Sequence, residues 1–167
     1  TRKIEFLKLD YTKRSKLKAK ILPGFEDKVG LVKVHINMFP EQFDLFQGYK
    51  GLIIEGTGLG HTPGQAPNEY AQINKKIYPA IKRVIESGCI VVMTTQCIFG
   101  RVNLNVYDKG RDLLELGVIP GEDMLAETAL VKLSWLIANH PEKAKSLIGK
   151  NLRGEINERI KPDEFLQ

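Results

Sequence analysis

The chain has 167 residues, one domain's length by the usual prior and enough for a hydrophobic core that needs no disulfide or metal. With 43% hydrophobic and 27% charged residues it lies outside the composition of disordered chains, and no apolar run reaches the ~20 residues of a membrane span. The formal net charge of +5 hints at nucleic acid until it is located: residues 1–33 hold ten basic and four acidic side chains, the other 134 hold 15 and 16, so the excess belongs to one end.

Residues 4–22 alternate weakly (Ile4, Phe6, Leu7, Leu9, then Leu17, Ala19, Ile21, Leu22) up to Pro23-Gly24. They read as an extended lead-in or a pair of short strands, and their charge reads as a solvated hairpin or linker. Gly30 to Ile36 is an apolar run fit for a buried strand. Pro40 to Phe46 resembles a short helix with proline in its first turn. Gly51 to Glu55 is a second buried strand leading into a glycine-rich loop, Gly56 to Pro67.

Helical spacing runs from Asn68 to Glu86, with Ile73, Ile77, Ile81, Val84 and Ile85 on one side; Pro79 predicts a kink or two segments. Cys89 to Thr94 is a third strand, followed by a polar loop to Lys109 and a short helix to Leu116. Gly117 to Gly121 is a brief fourth strand and turn. Ala126 to Ala138 is a helix apolar almost all round, which predicts cover on both faces and a subunit interface on or around it. A last helix spans Pro141 to Gly149, and the polar tail is anchored by Ile156, Ile160, Phe165 and Leu166. Strands alternating with helices predict an α/β fold: a three-layer sandwich with a small, mostly parallel sheet of about four strands flanked by helices. The organisation expected is a lead-in or interdomain connection over 1–22, an α/β domain over 23–150 and a tail over 151–167. Thr1 stands where a start methionine would, and charged sequence follows, as in a chain taken from something larger. No secretory signal is present, and a cytoplasmic setting is expected.

Ligand groups in such sheets collect in loops at the carboxyl ends of the strands, so Gly56–Pro67 and Thr95–Lys109 are the places to look. Gly56-Thr57-Gly58-Leu59-Gly60-His61 lacks the lysine and hydroxyl of a phosphate loop, and its third glycine comes one residue early for a dinucleotide fingerprint. The glycines are expected to turn the chain sharply, leaving His61 free to face a site. The second loop carries Gln96, Cys97, Arg101, Asn103, Asn105, Tyr107 and Asp108, groups suited to a small polar substrate or an interface, or simply to turns. Cys97 as a nucleophile would need a base; His35 and His61 are the candidates, nothing in the sequence places either beside it, and a buried or half-buried thiol is expected. His140 before Pro141 reads as a capping or surface residue. Two cysteines and three histidines offer no metal-binding spacing, and no Ser-His-Asp set can be argued. The chain thus offers recognition groups without a nucleophile.

The run Gly51 to His61 resembles the strand and loop that open the C-terminal domain of L-asparaginase-like amidohydrolases. Val91 to Cys97 with Gly100 to Asp108, Gly117 to Leu125 and Glu127 to Leu133 is more particular, as is the tail from Gly154-Glu155-Ile156 to Asp163-Glu164-Phe165-Leu166. Within that family these stretches resemble the ammonia-producing subunits of archaeal glutamyl-tRNA(Gln) amidotransferases; ordinary asparaginases usually show Ser-Arg in place of Gln96-Cys97. The resemblance implies that the nucleophilic threonine, in Thr-Gly-Gly-Thr surroundings, and a Thr-Asp pair with a lysine lie in a larger N-terminal domain; none of these motifs occurs here. It implies a homodimer in which this domain lends residues to the neighbouring protomer's site, with Tyr107, Asp108, His61, Gln96, Arg101, Asn103 and Asn105 as the groups to lend. It implies no cofactor for this domain, ATP and magnesium for a synthetase-like partner subunit, tRNA engaged through the complex, and no membrane. Alone, the chain would then be inactive. Asp108 stands where asparaginases commonly carry glutamate, His61 where they often carry asparagine, and Leu125-Ala126 where relatives tend to have a capping residue and proline. The same domain from an L-asparaginase, and an independent ligand- or partner-binding module, remain alternatives.

Overall fold

The computed structural model describes residues 3–4 and 13–159. Four strands, β1 (Val29–Lys33), β2 (Gly51–Gly56), β3 (Ile90–Thr95) and β4 (Ile119–Pro120), form one sheet in the order β1-β2-β3-β4, every pair parallel. The register is direct: Gly30, Leu52 and Val91 lie abreast, as do Leu31, Ile53 and Val92.

Both faces are covered, which is why residues 52–54 of β2 and 90–93 of β3 are continuous apolar runs. Leu52, Ile54, Val91 and Met93 point into a core shared with α1 (Glu41–Asp44), α2 (Ile77–Glu86) and α3 (Asp108–Leu116), through Phe43, Ile77, Ala80, Ile81, Val84 and Leu113. Ile53 and Val92 point the other way, into a core shared with α4 (Ala126–Asn139) and α5 (Ala144–Leu147) through Ala129, Leu133, Leu136 and Ala144. Strands laid down one after another in a single direction, joined by right-handed crossovers, put the three connecting helices on one face. The helices after β4 cover the other.

The boundaries differ from expectation at several points. β1 stops at Lys33, and Ile36 is exposed beyond it; β1 is also an edge strand with only Gly30 fully buried. The helix expected from Asn68 divides into a 3-10 segment, Glu69–Lys76, and α2, with no buried side chain in the first. Asn68 caps that segment, its Oδ1 accepting from Tyr70 N and Ala71 N. Ile73 therefore stays outside the core, while Pro79 sits in the first turn of α2, where a missing N–H costs no helical bond. The second loop ends at Tyr107, because α3 begins at Asp108.

α4 is covered on its outer side only in part: Val131 is 54% exposed. The cover comes from both ends of the chain. Trp135 Nε1 donates to Leu22 O at 3.0 Å, Asn139 Nδ2 to Gly24 O at 2.7 Å, and Glu26 N to Ser134 O at 3.1 Å. His140, beside Pro141–Lys143, packs edge-on to the Trp135 ring. Residues 13–22 carry no helix or strand and their basic side chains are exposed; the first of the two expected strands falls, apart from Ile4, outside the described residues.

The tail folds back as structure. Leu152 and Ile156 pack into the α4 core, and Lys132, nearly buried on α4, forms an ion pair with Glu155 at 2.7 Å and donates to Lys150 O at 2.5 Å. The anchors at 160, 165 and 166 lie outside the described residues. Among the described residues no helix is long and apolar enough to cross a membrane.

Candidate functional site

β2 and β3 end side by side, at Gly56 opposite Thr95, so their loops leave the same edge of the sheet. The first loop turns at once. Thr57 and His61 bridge each other through paired backbone bonds of 3.0 Å, with Gly58 and Gly60 at φ +52° and +99°, the left-handed backbone that glycine adopts freely. The expected sharp turn is thus present. The second loop is stitched to the first: Gln96 N donates to Gly56 O at 2.8 Å, Thr95 Oγ1 to Gly58 O at 2.5 Å, and Asn103 N to Leu59 O at 2.9 Å.

A cleft of about 870 Å³ opens at this edge, bordered by residues 34–36 after β1, by His61, Thr62 and Gln65, by Gln96, and by Tyr107, Asp108 and Lys109. Four of the residues singled out in the sequence, His61, Gln96, Tyr107 and Asp108, therefore meet. The His61 ring lies edge-on to Tyr107, centroids 5.5 Å apart at 63°. Burial lowers the His61 pKa below its usual value, with Lys109 adding to the effect and Asp108 opposing it, so the imidazole is neutral at neutral pH. The Lys109 backbone N–H beside Asp108, then Gln65, hold that carboxyl below the usual range, and it is ionised. His61 Nε2 and Thr62 Oγ1 are both sealed from solvent without a hydrogen-bond partner.

The remaining three are placed elsewhere. Asn103 and Arg101, again with Gln96, border a second, more open depression of about 800 Å³ together with Leu59 and Cys97. The Arg101 guanidinium is already engaged: it pairs with Glu122 and Asp123 and donates to Asn157 O at 2.6 Å, fastening the second loop to the tail. Asn105 borders neither cleft; its N–H donates to Asn103 Oδ1 and its carbonyl accepts from Arg111, shaping the turn into α3. Gln96 has a structural duty as well, Nε2 donating to Val34 O at 2.6 Å and Glu55 O at 3.1 Å across the ends of β1 and β2.

Cys97 is exposed, which corrects the expected buried or half-buried thiol. β3, buried on both faces, ends at Thr95, and Cys97 lies beyond it in a turn closed by Gly100 N donating to its carbonyl. His35 lies instead against Gln42 Nε2, 3.3 Å away, and His61 faces Tyr107. Among the described residues no Ser, Thr or Cys side chain is hydrogen-bonded to an imidazole, amine or carboxylate. Sequence reading missed Thr62, Gln65 and Lys109 as cleft residues; a threonine before Pro63 and a glutamine after Gly64 carry no periodic signal.

The fold is an α/β domain with polar side chains at the carboxyl edge of a one-directional parallel sheet, and residues 28–146 match the profile of the glutaminase/asparaginase C-terminal domain. The chain belongs to that family. It is 49% identical over 168 residues to the D-type subunit of the glutamyl-tRNA(Gln) amidotransferase from Pyrococcus furiosus, an alignment covering 98% of this chain and 36% of the relative. To the corresponding protein from Thermococcus kodakarensis it is 44% identical over 169 residues, 99% of this chain and 36% of the relative. The chain thus spans about a third of the length of the relatives it matches. Among solved structures it is similar to the thermostable L-asparaginase from Thermococcus kodakarensis, with a TM-score of 0.68, 28% identity, and coverage of 86% of this chain and 44% of that one. L-asparaginase I from Vibrio cholerae gives a TM-score of 0.66 at 31% identity, covering 78% and 38%.

Proposed function

We propose that this chain is the C-terminal domain of the ammonia-producing subunit of a glutamyl-tRNA(Gln) amidotransferase. The observation that carries the reading is similarity to that subunit at 49% identity along 98% of the chain. The cleft chemistry supports it. A neutral imidazole, a phenol, an ionised carboxylate and an amide can bind and orient a polar substrate, whereas attack on an amide carbon needs a nucleophile with a base, supplied here from outside these residues. The full subunit would hydrolyse glutamine with water to glutamate and ammonia. A partner subunit, using ATP and magnesium, would activate the glutamate on the tRNA for amidation. In a homodimer, His61, Gln96, Tyr107 and Asp108 would border the neighbouring protomer's site.

Ammonia release tests this. Full-length subunit with its partner is expected to release ammonia from glutamine, and the 167-residue chain by itself to release none. Tyr107→Phe and Asp108→Asn in the full subunit are expected to lower kcat/KM. Release by the isolated chain at the full subunit's rate would overturn the reading. The likeness to solved L-asparaginases supports a second reading, a plain asparaginase, which the same assay separates: hydrolysis of asparagine with no tRNA-dependent use of the ammonia would favour it.

A further inference from the structure

The two walls of the first cleft come from different loops, yet they are braced from behind by residues whose chemistry the proposed function does not use. The brace begins on α2. The Tyr78 ring lies directly against Gly64, so close that a side-chain carbon on Gly64 would come within 1.9 Å of the ring. The same ring carries its hydroxyl to α3, where it donates to Lys109 O at 3.1 Å. Beside it, Gln65 Nε2 donates to Asp112 Oδ2, also at 3.1 Å. One loop, holding His61 and Thr62, is thus tied at residues 64 and 65 to the first two turns of α3, which hold Tyr107, Asp108 and Lys109 against the other side of the cleft.

We infer that Tyr78, with the Gln65–Asp112 bond, is a positioning residue that sets the spacing between the His61 wall and the Tyr107–Asp108 wall of the cleft. The inference rests on the proposed function, because that spacing matters only if the cleft receives substrate. Burial, then Asp112 and Asp108, push the Tyr78 hydroxyl well above its ordinary pKa, so it remains a donor across the range in which an enzyme works. One bond runs from a side chain of α2 to a backbone carbonyl of α3, the other between side chains of the first loop and α3. Cutting one should let the walls drift by fractions of an ångström and leave both sheet cores intact.

The test uses full-length subunit with its partner and reads KM and kcat for glutamine beside the thermal midpoint. Tyr78→Phe keeps the ring on Gly64 and removes only the hydroxyl. A roughly three- to tenfold rise in KM is expected, the size of one lost hydrogen bond, with kcat little altered and the midpoint within about 3 °C of the parent. A purely structural role would lower the amount of active protein, hence apparent kcat, and leave KM where it was. Asp112→Ala should act like Tyr78→Phe, while Asp112→Asn, which keeps an acceptor for Gln65, should restore the parent KM; this pair carries the test if Tyr78→Phe does not fold. Unchanged KM in Tyr78→Phe and Asp112→Ala, while Asp108→Asn still lowers kcat/KM, overturns the brace and spares the site. If Asp108→Asn and Tyr107→Phe are also without effect, the site reading falls and takes this inference with it.

Discussion

Lys132→Met should cost the domain several kilocalories per mole, and the loss should fade in acid. Lys132 is 8% exposed on α4, and its ammonium meets Glu155, whose side chain is 14% exposed, at 2.7 Å. Methionine fills much the same volume, so the change leaves a buried carboxylate held by backbone N–H groups, those of Leu152, Arg153 and Glu155 itself. Breaking one side of a buried pair costs about 3–5 kcal/mol; those remaining bonds and the residual exposure reduce this to roughly 2–4. Burial pushes the Glu155 carboxyl up, but Lys132 and the backbone N–H groups outweigh it and bring its pKa from 4.5 to about 2. The folded pKa is depressed, so the stabilisation is complete above pH 4.5 and is lost as pH falls from there towards 2. A shift of that size corresponds to ~3 kcal/mol, of which about 1.4 should be gone by pH 3.5. Urea denaturation at pH 7, 4.5 and 3.5 checks this, with the gap between parent and variant narrowing by about 1 kcal/mol at the lowest pH. A gap under 1 kcal/mol at pH 7, or one that does not change with pH, refutes the reasoning.

Two further outcomes follow from burial. Ile156→Ala, at a position 5% exposed in the α4 core, should cost about 2–4 kcal/mol in the same urea assay, and a cost below 1 would detach the tail from that core. A thiol reagent should modify one cysteine per native chain, the exposed Cys97, and a second only in denaturant, because Cys89 is buried and its thiol is pushed up to about 12; two thiols reacting in the native chain would contradict the placement of Cys89, and none reacting that of Cys97.

The sheet was readable because both its faces are buried. Ile53 serves one core and Leu52 and Ile54 the other, so the middle of β2 is apolar on both sides, and only Glu55 near its end is charged. The same logic failed at the margins. Ile36 is apolar and exposed, and Ile73 keeps helical spacing on a 3-10 segment that buries nothing, so hydrophobicity alone extended both elements too far. In the site, the general rule for parallel sheets located the loops, and His61, Gln96, Tyr107 and Asp108 were brought to one cleft. What could not be read was partnership across long separations. Arg101 looks the same in sequence whether it awaits a ligand or, as here, grips Glu122 and Asn157; Tyr78 looks like a helix residue until Lys109 is found above it. Pairings of this kind depend on how loops close over one another, and a single sequence carries no period or spacing that records it.

The one-directional strand order has a consequence for how such a domain can take part in chemistry. Where strand order reverses, neighbouring loops part to opposite faces and open a crevice with protein on two sides. Here β1 to β4 advance without reversal, and the loops after β2 and β3 bond to each other instead of parting. The edge is therefore walled by loops that hold one another in place. A guest between the His61 wall and the Tyr107–Asp108 wall would be gripped by segments far apart in the chain but fixed to each other, while the side facing away from the sheet stays open.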